Sequence, residues 1–172
     1  MNNLHWKNIR RFVLLMLLQL LVLNNVYMGG YVMPVLYVLF ILMLPTSTPR
    51  VPMLLIAFGT GLLVDIMAGA LGFHALACMA VAMMRILFAD RILTRGENVV
   101  IETPSIFSVT PQYYIAYLLL LLAAFFLIFF MLELFGFRGL GGVLLSTICS
   151  TVVTALLAVL YQWVFLKRKE ER

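Results

Sequence analysis

Asp65 and His74 hold the clearest acid–base potential in this sequence. They flank Ala68-Gly69-Ala70-Leu71-Gly72, a run of small residues short enough to set a carboxylate beside an imidazole if helices lie on either side. Ionisable groups pair with one another where water is scarce. Such a carboxylate can fix a helix pair or a partner helix, cap the turn while reaching interface water, or hold a proton or ion. The imidazole can serve as its structural hydrogen-bond partner.

Three stripes extend this pattern. Gly61, Asp65 and Gly69 recur every four residues and share one helical face. Glycines on such a face let another helix approach closely. His74, Cys78, Ala82 and Arg85 form a second stripe, because eleven residues return nearly to the same helical angle. Arg85 is expected to snorkel to lipid headgroups. Thr147, Ser150, Thr151 and Thr154 fall at i, i+3, i+4 and i+7, with Ala155 and Ala158 nearby. Small polar stripes of this kind suit helix packing; a transport path is the sharper alternative. Gln19 reads as an interhelical hydrogen-bonding residue, and Glu133 with Arg138 as an interfacial pair.

Other chemistry finds little support. Cys78 and Cys149 lie in apolar runs, and with only His5 and His74 beside them no metal-ligand cluster forms. Gly139-Leu-Gly141-Gly142 follows an apolar helix rather than a strand, so it is no dinucleotide fingerprint. No nucleotide-binding loop or nucleophile–base set is present. The expectation is a non-enzymatic protein without cofactor or metal.

The elements that position these residues follow from composition. Of 172 residues 65% are hydrophobic and 11% charged, with a mean hydropathy of +1.10. An ordinary soluble domain carries about 25% charged residues. Lipid is therefore the expected solvent. Continuous apolar runs exclude the alternation of a membrane β-barrel, and a lone segment in lipid must satisfy its own backbone hydrogen bonds, which requires a helix. The expected fold is all-α: one polytopic domain over residues 1–172 with about six transmembrane helices. They cover about 12–26, 31–44, 52–67, 73–88, 112–135 and 143–166, with a polar loop at 89–111. Asn24-Asn25 and Gly29-Gly30 close helix 1, and Pro34 sits in the first turn of helix 2, where a missing N–H costs little. Lys7 to Arg11 before an apolar run resembles a signal peptide, but no small-residue cleavage site follows, so the run reads as an uncleaved helix.

The net charge of +5 suggests nucleic acid less than membrane topology. With both termini cytoplasmic, eleven of the 12 Lys and Arg residues fall at the inner side and only Arg138 outside. Lys167-Arg168-Lys169 then flank the last helix and can attract anionic lipid. The bilayer is the expected environment, and no nucleic-acid partner is implied.

The order of these marks resembles the rod shape-determining protein MreD family. The resemblance rests on Asn24-Asn25, Pro34 and the segment Gly59-Thr-Gly61-Leu-Leu-Val-Asp65-Ile-Met-Ala-Gly69-Ala-Leu-Gly72-Phe-His74-Ala-Leu. Length, helix count and inner termini agree over nearly the whole chain. Val35 stands after the proline, where that family usually has an acidic residue. The resemblance implies a bacterial inner-membrane component of the cell-wall elongation machinery, with a bundle similar to the substrate-binding subunit of energy-coupling-factor transporters. Its implied partners are the bitopic protein MreC, the glycosyltransferase RodA with its transpeptidase and, indirectly, the MreB filament. On this view Gly61, Asp65, Gly69, Gly72 and His74 form the partner interface. The competing expectation is a substrate-binding subunit of a vitamin-type transporter, with a cavity lined by Asp65, His74 and the helix 6 hydroxyls.

Overall fold

The computed structural model describes residues 2–21, 23, 32–93, 103–133 and 139–165. Its elements are helices: α1 (Asn2–Leu21), α2 (Val38–Leu42), α3 (Arg50–Ala68), α4 (Phe73–Leu93), α5 (Pro111–Glu133) and α6 (Leu140–Phe165). By length and composition α3, α5 and α6, of 19, 23 and 26 residues, can each cross a membrane, and Phe73–Phe88 of α4 is a shorter apolar stretch. At 1.5 Å per residue a 20-residue helix spans about 30 Å, the thickness of a hydrocarbon core. These are the features of a helical membrane protein.

The long helices pack in chain order, α3 on α4, α4 on α5 and α5 on α6, while α1 leans chiefly on α2. Uniform apolarity leaves the inward face of α5 undetermined, and ring size decides it. Tyr114, Tyr117, Leu118, Leu121, Leu122, Phe125, Phe126, Phe129 and Phe130 are buried. Phe125 stacks on Phe129 at 6.1 Å and Phe126 on Phe130 at 5.9 Å. Leu119, Leu120 and Leu127 point outward, where lipid solvates aliphatic chains.

The second expected helix is corrected. Residues 33–36 are non-helical and the helix is reduced to Val38–Leu42. Pro34 accounts for the start of this break, since a proline disfavours helical backbone at the residue before it. Irregular backbone is tolerated at membrane depth only where protein covers it, and residues 34–45 are all buried. The first helix begins earlier than expected, at Asn2. Residues 89–93 of the expected polar loop continue α4. The expected breaks at 24–30, the Arg138 side of the interfacial pair and the tail 167–172 lie outside the described residues.

The α3–α4 connection is a glycine turn, as expected from its small residues. Gly69 closes α3 in the left-handed conformation at φ 65°, and Gly72 has φ 92°. Both angles favour a residue without Cβ. The backbone N–H of Ala70 donates to the Asp65 carbonyl at 2.9 Å, completing the cap.

Candidate functional site

Asp65 sits in the last turn of α3 and reaches the first turn of α4. Its Oδ1 accepts the His74 backbone N–H at 3.1 Å and lies 2.9 Å from His74 Nδ1; Oδ2 accepts the Ala75 N–H at 2.8 Å. The first N–H groups of a helix have no partner within it, and a carboxylate there also meets the positive end of the helix dipole. Asp65 thus caps a helix other than its own. Asp65 and His74 are 2% and 3% exposed, so the expected pairing is present and shielded. The second ring nitrogen of His74, Nε2, is buried and meets no hydrogen-bond partner among the described residues. The ring packs on Phe129 with centroids 4.5 Å apart.

Gly61 makes this approach possible. A Cβ built on it would stand 2.5 Å from Ala75 Cα and 2.5 Å from the His74 carbonyl oxygen. The face expected to meet a partner is therefore covered by α4 of the same chain at Gly61 and Asp65, and His74 belongs to the covering helix. Gly69 and Gly72 remain at the accessible turn, beside Leu71 with 87% exposure.

A second polar seam holds the extended segment. Ser150 Oγ of α6 accepts the Met33 N–H at 3.0 Å, and Thr154 Oγ1 accepts the Val35 N–H at 3.2 Å. From the other side, Gln19 of α1 donates to the Pro34 carbonyl at 3.1 Å and accepts the Leu36 N–H at 2.7 Å. This amide replaces the ladder partner that a neighbouring strand would supply. The α6 stripe is buried as expected of helix packing, but Ser150 and Thr154 serve an unwound backbone rather than a helix face. Thr147 and Thr151 are also buried, and their hydroxyls meet no partner among the described residues.

Arg85 corrects another expectation. It does not snorkel; it is 1% exposed. Its Nε donates to the Tyr117 hydroxyl at 3.0 Å, one terminal nitrogen donates to the Leu44 carbonyl, and the other meets the Met53 sulfur. Tyr117 in turn donates to the Leu42 carbonyl at 3.0 Å, and Arg11 donates to the Met43 carbonyl at 3.3 Å. The carbonyls of Leu42, Met43 and Leu44, at and just past the end of α2, thereby find donors. Gln162 performs a similar task, accepting the Ile106 N–H at 3.0 Å and donating to the Tyr114 hydroxyl. Sequence reasoning passed over Tyr114, Tyr117 and Gln162. Their signal was a polar atom inside an otherwise apolar helix, which must find a partner when buried.

A groove of about 1000 Å³ opens between α1 and α3 over a floor from Phe40 to Pro45. None of Asp65, His74 or the four α6 hydroxyl residues lines it. No group of three or more potential metal ligands occurs among the described residues.

No protein-family model matches this chain, and no curated protein or solved structure matches it either.

Proposed function

We propose that this protein is a non-enzymatic scaffold of the bacterial inner membrane, spanning it with about six helices and keeping both termini cytoplasmic. It serves the cell-wall elongation machinery and maintains rod shape. Its partners are an MreC-type bitopic protein, a RodA-type glycosyltransferase with its transpeptidase and, through the MreC-type protein, the MreB filament. The resemblance of residues 59–76 to the MreD family names this function. The observation that carries it physically is the use made of the polar interior. Asp65 caps α4, Ser150, Thr154 and Gln19 hold the extended segment, and Arg85 closes α2. Those groups fix the shape of a platform whose outer surface is apolar helix.

The partner contact then belongs on exposed surface beside the covered glycine face. Ile66, Met67 and Leu71 are 70%, 63% and 87% exposed and surround the Gly69–Gly72 turn. A single transmembrane helix from an MreC-type protein can pack there without disturbing the Asp65 cap. A photo-cross-linking residue at Leu71, followed by affinity purification, tests this. Capture of an MreC-type protein supports the scaffold; capture of an importer's ATPase pair supports the alternative.

One observation favours that alternative, a vitamin-type transporter subunit: the buried His74 Nε2 and the Thr147 and Thr151 hydroxyls meet no hydrogen-bond partner among the described residues. A small ligand would supply one. Loss of uptake in a Thr151→Val variant of unchanged stability would support this reading.

A further inference from the structure

We propose that the groove between α1 and α3 is a binding site for one anionic phospholipid, with its phosphate at the end where α3 begins and its acyl chains along α3. The groove has a polar end and an apolar body. Asn8, Ser47 and Thr48 line the first; Phe12, Ile56, Leu63 and Ile66 line the second. From Pro52 to Ile66 it follows α3 for about 21 Å, at 1.5 Å per residue. This is the axis of a lipid, with headgroup at one surface and chains toward the membrane interior.

Charge selects the headgroup. Arg50, the first residue of α3, is exposed between the groove residues Pro49 and Pro52, and the half-buried Arg11 precedes Phe12. Among residues whose side chains are described, the acidic ones are Asp65 and Glu133, and both act on His74 at the far end of α3. Arg50 and Arg11 therefore place positive charge beside the polar end at a membrane surface, where basic residues attract anionic lipid. On the topology proposed above, this is the cytoplasmic leaflet.

The site lends itself to a plug. Gly59 lines the groove, and a Cβ there would meet nothing within 4 Å. A side chain at this position therefore starts in open space within the groove. The experiment equilibrates the purified full-length protein in detergent with vesicles of equimolar phosphatidylglycerol and phosphatidylcholine, then weighs it by native mass spectrometry. The wild-type protein should retain one phosphatidylglycerol. Gly59→Trp should lower that retention at least fivefold with unchanged thermal unfolding, and Arg50→Gln should reduce the preference for the anionic lipid. Equal retention of the two lipids, or undiminished retention in Gly59→Trp, overturns the proposal. So does a cross-linker at residue 59 that captures a protein helix in cells instead of lipid.

Discussion

The Asp65 carboxylate stands 2.9 Å from His74 Nδ1 and takes the backbone N–H groups of His74 and Ala75 as well. One side chain therefore closes a helix end, engages an imidazole and ties the last turn of α3 to the first turn of α4. Removing it leaves buried donors without an acceptor. Asp65→Ala should destabilise the protein by about 1–3 kcal/mol for each buried N–H left without an acceptor. Asp65→Asn, which keeps an acceptor oxygen, should cost less. Thermal unfolding in detergent measures both.

Two glycines of α3 should respond in opposite ways. At Gly61 a methyl group meets Ala75 and the His74 carbonyl at 2.5 Å, so Gly61→Ala forces the helices apart. Overpacking of this kind costs about 1–3 kcal/mol. At Gly59 a Cβ meets open space, and Gly59→Ala should be neutral or gain up to about 1 kcal/mol in helix propensity. Paired unfolding curves of the two variants decide this.

The α6 stripe separates in the same manner. Thr154→Val should destabilise, because the Val35 N–H then loses its buried acceptor, at about 1–3 kcal/mol. Thr151→Val should be neutral or stabilising, since its hydroxyl has no partner among the described residues and an apolar isostere removes a desolvated group. Equal losses in the two variants would contradict the assignment of Thr154 to the extended segment.

Arg85 and Tyr117 should behave as one unit. Arg85→Leu strips the Leu44 carbonyl of its donor, and Tyr117→Phe strips the Leu42 carbonyl. Residues in one hydrogen-bond network couple by about 0.5–3 kcal/mol. A double-mutant cycle should return a coupling in that range; strict additivity would show that the two act separately.

What could be read in the sequence divides by the range of the interactions involved. Hydropathy reveals α3, α5 and α6 because each long apolar run carries its own reason to be helical. The Asp65–His74 pair is legible because only a short glycine turn separates the two residues. The unwound segment is not. Residues 31–44 have the same hydropathy whether helical or extended, and the groups that favour extension are Gln19, Ser150 and Thr154, the last two more than 110 positions away. The place of Arg85 is hidden for a related reason: it binds the Leu44 backbone carbonyl, and a carbonyl leaves no mark on residue types. The Gly61–Asp65–Gly69 spacing does signal a close helix approach, but spacing alone does not say whose helix arrives.

The proposed scaffold role is tested most directly by depleting this protein from the cells that make it and measuring their width alongside vitamin uptake. If it serves rod shape, cells widen and round while uptake is unchanged. Normal rods that have lost uptake of a vitamin would contradict it and point to a transporter subunit.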